Sequence, residues 1–291
     1  MSEKNQIPHY DGIAAIAERY DAFILDVWGV LHDGVNLYPG VVDTLEKLTA
    51  ADKPFVMLTN APRRSHAVAE AMISMGMPEK FCCRILSSGE ATFLDLRDRE
   101  DLFYADVGNR LLHVGPDRDR NLFDGLDGEE VKRVEDCDLI VNTGPWEDGE
   151  TVADYEDLLQ QGAALRVPMI CANPDLVVVR GGRRIICAGS LAVRYEELGG
   201  VVRWLGKPRV EIYDYCFREL ADFDKSRIAA VGDSFRTDLA GAVNVGIAPI
   251  FVAAGIHADE VGGWPPDPGA LSDLAGKWHA RPSASVPAFV W

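Results

Sequence analysis

The sequence contains no apolar run approaching the roughly 18–20 residues that crossing a bilayer requires. Its opening stretch, Met1 to Asp11, is polar and lacks the basic-then-apolar order of a secretory signal. From these two absences we expect a cytoplasmic protein without a membrane partner. Cysteine is sparse, with six in 291 residues, which excludes a disulfide scaffold and leaves the thiols expected to be reduced. Positive charge is also short: 29 lysines and arginines face 46 acidic residues, for a net charge of -17. That balance argues against non-specific nucleic-acid binding, which needs cationic neutralisation of phosphates. A small anionic substrate is still allowed, because a bound cation can invert the potential locally. Neither an internal repeat nor a coiled-coil seam is present.

What is present is a chain that is 47% hydrophobic and 26% charged. Such a composition suits a folded core in one large domain or two ordinary ones. Short apolar runs alternate with helical spacings. Tyr20 to Val27 (YDAFILDV) and Pro54 to Leu58 (PFVML) read as buried strands, and Val41 to Ala51 and Ser65 to Met75 as helices. The middle of the chain has its own rhythm, with strands expected at Arg110–Val114, Asp138–Asn142 and Pro168–Cys171 and a helix near Thr151–Gln161. The segments 95–101 and 115–128 read as surface. The last third returns to the first pattern: helix Glu211–Leu220, strand Arg227–Val231, helix Thr237–Val245 and strand Pro249–Val252. This alternation predicts an α/β fold of helix-covered parallel sheet, with a second α/β unit inserted between about Ser87 and Ile185. Ser283 to Trp291 (SASVPAFVW) reads as an irregular tail with a docking apolar end.

Four features recur at expected strand ends or beside them: Asp26 in DVWGVLHDG, Thr59-Asn60 in LTN, Lys207 in GKP, and Asp233 in GDSFRTD. In parallel sheets ligands gather at the carboxyl ends of strands. Two carboxylates brought together repel unless a proton or cation joins them. Mg²⁺ suits such a place, since it prefers oxygen ligands and bridges to substrate phosphate. Thr59 offers a hydroxyl, and Lys207 a fixed positive charge for phosphoryl oxygens. Singly, each residue has an ordinary reading as a cap, turn or solvent-facing charge. The ordered combination is what points to phosphoryl transfer.

That ordered set resembles the haloacid dehalogenase (HAD) superfamily, and within it the class IIA phosphatases, over nearly the whole chain. The resemblance implies a three-layer Rossmannoid core with an inserted α/β C2 cap: core over residues 1–87, cap over 88–185, and core with a C-terminal tail over 186–291. Asp26 would be the nucleophile forming an aspartyl-phosphate. Asp26, the Trp28 backbone carbonyl and Asp233 would contact Mg²⁺, with Asp238 holding metal waters or bracing the loop. Thr59 would bind phosphate with Asn60 nearby, and Lys207 would contact both Asp26 and phosphate. The implied activity is Mg²⁺-dependent hydrolysis of a small phosphomonoester, with a homodimer as an expected assembly. The segments ANPD (172–175) and AGS (188–190) resemble parts of such a cap and its return to the core.

One position departs from the family pattern. Phosphatases of the superfamily carry a second Asp two residues after the nucleophile, to protonate the leaving group and later activate water. Here that residue is Trp28, and indole has no acid–base chemistry near neutral pH. His32 and Asp33 are candidate substitutes by proximity in sequence, against an ordinary reading as turn residues. A weakly active or inactive phosphate-ligand binding protein is therefore the alternative, and other phosphoryl or phosphonyl chemistry a further one. Arg63, Arg64 and Trp146 are candidates for substrate contact. Asn173 and Asp175 read as organisers of a connection and Arg180–Arg184 as a hairpin turn, and His257 has no matched set of metal ligands.

Overall fold

A computed structural model describes residues 7–180 and 182–291. The first six residues of the polar Met1–Asp11 stretch, and Gly181 within the Arg180–Arg184 cluster, lie outside the described residues. The chain divides into two compact units. One comprises residues 1–59, 69–86 and 207–291, the other residues 60–68 and 87–206. Among the described residues no helix is long and apolar enough to cross a membrane, and all six cysteines are free thiols.

The first unit is built on a six-stranded sheet. Its order is Ala284–Val286, Ala248–Val252, Ile228–Gly232, Ala22–Leu25, Phe55–Thr59 and Ile85–Ser87. Ala22–Leu25 lies at the centre and runs parallel to both neighbours, with Leu25 opposite Val231 on one side and Met57 on the other. All four of its side chains are buried, which explains the unbroken apolar run, since a strand covered on both faces has no polar side. Helix Val41–Ala50 buries Val41, Leu45 and Leu48, spaced to form a single stripe. From the central strand the chain moves first to one side of the sheet and later to the other. The order therefore reverses between Ala22–Leu25 and Ile228–Gly232, the kind of crevice where open α/β sheets hold ligands.

Three expectations are corrected. Segment 115–128 is not simply surface, since its short helix Asp117–Phe123 buries Asp119 and Leu122. The tail is not irregular: Ala284–Val286 adds a parallel edge strand to Ile250–Val252. Beyond it Phe289 is buried, and Val290 accepts a hydrogen bond from the Ile13 N–H at 2.7 Å. The small residues and Pro287 around this strand hid it from period-based reading. Segment 95–101 is likewise not simple surface. Helix Ser88–Asp98 runs through it, and Asp95 receives both ends of the Arg203 guanidinium at 2.6 and 2.7 Å.

The second unit contains a five-stranded parallel sheet in the order Val202–Trp204, Met169–Cys171, Leu139–Asn142, Arg110–Val114 and Glu129–Val131. An antiparallel hairpin, Val177–Arg180 with Arg183–Ile186, accompanies it. Leu191, Ala192 and Tyr195 of helix Ala188–Glu197 join this unit's core, and the buried Tyr195 hydroxyl donates to the Val167 carbonyl. The molecule thus has a Rossmann-like α/β core sheet and an additional α/β unit within the same chain.

Two buried titratable groups in the second unit set its pH response. Burial, with Arg120 nearby, pushes the His113 imidazole down to about 4. Burial pushes the Asp119 carboxyl up to about 6 against the pull of Arg118 and Arg63. The signs oppose. His113 contributes stability that is complete above its unfolded value of 6.5 and is lost as pH falls towards 4. Asp119 contributes stability that is complete below 3.8 and is lost as pH rises through 6. Shifts of this size are each worth on the order of 3 kcal/mol, so the two nearly cancel between these limits. We predict that Asp119→Asn exposes a loss of stability on acidification below pH 6.5. His113→Gln should expose the reverse slope, a loss on raising pH towards 6. Denaturant midpoints measured across that range decide the matter, and parallel profiles in the two variants would refute it.

Candidate active site

The reversal point of the core sheet gathers the acids predicted from sequence. Asp26 directly follows the central strand, and its N–H donates to the Val231 carbonyl at 2.9 Å. Asp233 follows the neighbouring strand. Asp238 comes one helical turn later, in a widened turn where the Asp238 and Leu239 N–H groups both donate to the Ser234 carbonyl. One carboxylate oxygen from each of Asp26, Asp233 and Asp238 lies within 4.8 Å of the other two, and all three residues are buried.

Lys207 organises this group. Its ammonium donates to Asp26 Oδ1 at 2.5 Å, to Asp238 Oδ1 at 2.6 Å and to the Leu58 carbonyl at 2.9 Å. Those three bonds match the three hydrogens of an ammonium and fix the rotation of the Asp26 and Asp238 carboxylates. Asp238 is further held by the Ser234 N–H at 3.1 Å. Asp233 stands apart from the lysine and receives the Ile256 N–H at 2.7 Å. Burial, reinforced by the charges of Asp26 and Asp238, pushes the Asp233 carboxyl well above the usual range.

One ammonium cannot balance three buried carboxyl groups, and the field that keeps Asp233 from ionising is one that a bound cation would relieve. The donor set is all oxygen, and its members are close enough to share one ion, which fits a hard divalent cation such as Mg²⁺. Beside Asp233 the backbone leaves room for this arrangement through two glycines. A side chain at Gly29 (φ +86°) would begin 2.1 Å from Asp233 Oδ2, and one at Gly255 would collide with the same carboxylate at 2.1 Å. Gly29 was visible within the DVWGV motif. Gly255 and Ile256 carried no sequence signal, because their contribution is absence of bulk and a backbone donor.

The other predicted residues are placed as follows. Thr59 ends its strand and is buried, as is Asn60. The Asn60 side chain, within the second unit, donates to Asp175 Oδ1 at 2.9 Å. Trp28 is half-buried, with its ring edge-on to His32 at 5.3 Å. Gly34 lies under the indole, where any side chain would meet it at 2.3 Å. His32 Nδ1 accepts the Gly34 N–H at 2.9 Å. Asp33 Oδ1 accepts the N–H groups of Asn36 and Val35, which hold its carboxyl below the usual range. Asp33 is thus an ionised turn-forming group, poorly suited to donate a proton near neutrality. Arg64 is committed to Glu90 through two bonds at 2.8 and 3.0 Å. Asn173 Oδ1 accepts the Asp175 N–H at 3.0 Å. His257 Nε2 accepts from the Phe235 N–H at 3.4 Å and so supports the loop between Asp233 and Asp238.

An α/β core with acids converging at its sheet reversal defines a hydrolase-type site. A family model for haloacid dehalogenase-like hydrolases matches residues 23–129, and a HAD-hydrolase-like model matches residues 204–276. The crystal structure of a hydrolase of the haloacid dehalogenase-like family from Brucella suis 1330 shares 35% identity with this chain. It superposes with a TM-score of 0.83 over 97% of this chain and 100% of that one. The chain therefore belongs to the haloacid dehalogenase-like hydrolases. It is also 24% identical to the acid sugar phosphatase of Staphylococcus haemolyticus over 84% of this chain and 89% of that protein. The glycerol phosphate phosphatase of Mycobacterium tuberculosis, solved in complex with magnesium, shares the fold at 22% identity. Its TM-score is 0.62, over 86% of this chain and 73% of that one.

The acid cluster makes a direct prediction. Mg²⁺ should raise the unfolding temperature of the wild-type chain, by the equivalent of about 2.7 kcal/mol at a hundredfold excess over its Kd. Asp233→Asn should blunt that rise. Calorimetry at increasing Mg²⁺ reads it, and an equal rise in both proteins would remove these acids as the metal site.

Proposed function

We propose that the chain hydrolyses small phosphomonoesters with Mg²⁺, through an aspartyl-phosphate on Asp26, as a class IIA member with a C2-type cap. The observation that carries this reading is the Lys207 ammonium bound at once to Asp26 and Asp238 beside Asp233. In this assignment Asp26, Asp233, the Trp28 carbonyl and Asp238 hold the metal or its waters. Thr59, Asn60 and Lys207 receive the phosphoryl group. The insertion assigned above to 88–185 is the cap in this proposal, a reading supported by the separate compact unit of residues 60–68 and 87–206. Kinship with proteins called acid sugar phosphatase and glycerol phosphate phosphatase supports a phosphorylated small molecule as substrate. A cytoplasmic location and a homodimer complete the proposal on grounds of composition and resemblance.

The chemistry follows from the carboxylates and the ammonium. Asp26, its rotation fixed by Lys207, donates an electron pair to phosphorus. The bond from phosphorus to the ester oxygen breaks in line, and the leaving alcohol departs with that bond's electrons. Lys207 offsets charge on the phosphoryl oxygens as they move. Bound Mg²⁺ would supply electrostatic neutralisation of the phosphoryl group and of the acids around it. Water then attacks phosphorus in the acyl phosphate, releasing orthophosphate and returning the Asp26 carboxylate. Trp28 has no proton to give the departing oxygen, so leaving groups that are stable as anions react fastest.

Trp28 also supports a second reading, a phosphate-ligand binding protein with little turnover. A missing general acid–base group costs roughly 10² to 10⁴ in rate. Asp26→Asn should abolish phosphate release from an activated aryl phosphate, by on the order of 10⁴-fold or more, with the fold retained by circular dichroism. Undiminished release in that variant would sink the nucleophile assignment. Trp28→Asp should raise turnover of alkyl phosphates more than of aryl phosphates, by up to about 10²-fold. Absence of turnover in both proteins, with saturable binding of phosphorylated ligands, would favour the binding protein.

A further inference from the structure

The segment Gly255–His257 follows the sheet strand Ala248–Val252 and lies against the loop that carries Asp233, within the same compact unit. It holds that loop at two points. The Ile256 N–H donates to Asp233 Oδ2 at 2.7 Å, and Gly255, lacking a side chain, lets the backbone come that close. One residue on, His257 Nε2 receives the Phe235 N–H at 3.4 Å, a long bond, and the two rings meet edge-on at 5.5 Å. The segment is itself tied down. Ala253 and Ala254 donate to the Val286 and Pro287 carbonyls, and Val261 beyond it is buried in the same apolar cluster as Phe235.

The Phe235 N–H needs a partner from outside its own turn. Phe235 is the first residue of the turn Phe235–Leu239, and the leading N–H groups of a helical turn have no carbonyl within it to bond. The Ser234 N–H is taken by Asp238 Oδ2, and the Phe235 N–H by His257. A backbone N–H can only donate, so Nε2 acts as the acceptor and Nδ1 carries the ring's hydrogen. Nδ1 lies 2.9 Å from Glu260 Oε1, which accepts that hydrogen and sets the tautomer. The chain of bonds thus runs from carboxylate to imidazole to backbone N–H. It ends on the loop between Asp233 and Asp238, two of the acids gathered at the sheet reversal.

We propose that His257 is a positioning residue for the metal loop: oriented by Glu260, it holds Phe235 and, with Ile256, keeps the Asp233 carboxylate aimed at a divalent cation. The inference rests on the reading of Asp26, Asp233 and Asp238 as a Mg²⁺ site, and adds a residue that touches neither metal nor substrate. Asp26 and Asp238 have their rotation fixed by Lys207. Asp233 is held instead by the Ile256 N–H, so the placing of segment 255–257 decides where that carboxylate points. Removing a group that orients a metal ligand typically changes metal affinity by about 10- to 100-fold.

The test is isothermal titration calorimetry of Mg²⁺ into the full-length chain, with no substrate present. His257→Phe keeps a ring against Phe235 and removes the acceptor, and should weaken binding roughly tenfold or more. His257→Gln offers an oxygen that can accept the Phe235 N–H, and should keep binding within about threefold of wild type. A ring that only packs would give the opposite order, with Phe binding like wild type and Gln worse, and that order would overturn the proposal. Should His257→Phe not fold, Glu260→Ala at the exposed end of the bond chain supplies the readout. There a loss of about threefold is expected, and wild-type affinity would overturn the proposal. Asp233→Asn separates the two ideas. Wild-type binding in His257→Phe but not in Asp233→Asn would remove the positioning role and leave the metal site standing, whereas wild-type binding in both would remove the site and this inference together.

Discussion

The buried bond between Lys207 and its two carboxylates is the constraint around which the core is arranged. An ammonium and carboxylates removed from water each carry a desolvation cost of several kcal/mol, which only close pairing and further hydrogen bonds offset. Here the pairing is nearly complete: Asp26, Asp238 and the Leu58 carbonyl take the three donors. The surroundings are shaped to keep it so. Gly232 gives Asp238 room, since a side chain there would begin 2.2 Å from Asp238 Cβ, and the Tyr213 hydroxyl fills the space that Gly241 leaves empty. Burial, reinforced by the charges of Asp26 and Asp238, keeps the Asp233 carboxyl from ionising, and the pull of Lys207 and the Ile256 N–H only reduces the effect. Replacing Lys207 with an apolar residue would strand two charges at once, so the residue is as much a structural requirement as a chemical one.

How far the molecule could be read from its sequence depended on the kind of information each part carries. The central strand, its neighbours at 55–59 and 228–232, and the acids after the central strand and after 228–232 were legible, because buried parallel strands leave unbroken apolar runs. The charged residues that end those runs are conspicuous. The short strands Glu129–Val131 and Val202–Trp204 were not legible, since three residues carry no period. The edge strand Ala284–Val286 was hidden by its small side chains and flanking prolines. Within the site, Lys207 and the three acids announced themselves by charge. The Ile256 N–H and the space left by Gly255 could not, because any residue has an N–H and a missing side chain has no chemistry of its own. Asn60 shows a different limit: its position was clear, but its bond to Asp175 joins segments 115 residues apart and could be seen only in three dimensions.

Trp28 and its neighbours form a small structure of their own. The indole lies over Gly34, the His32 ring stands edge-on to it, and Asp33 ties down the following turn. The position two residues after Asp26 is therefore filled by a residue that packs. A packed indole restricts the loop, a consequence quite separate from the proton transfer it cannot perform.

The central strand has a consequence for the history of each molecule. Ala22–Leu25 finds one sheet partner nearby in sequence at Phe55–Thr59, but the other is Ile228–Gly232, and the ammonium that neutralises Asp26 lies 181 residues downstream. At ribosomal speeds of about 5–20 residues per second, the nascent chain carries an open strand edge and an unmatched carboxylate for on the order of tens of seconds. Throughout that interval the inserted segment, with its own parallel sheet, has all it needs to close first. The core is thus completed from segments far apart in sequence, and its central strand waits for its second partner while translation continues.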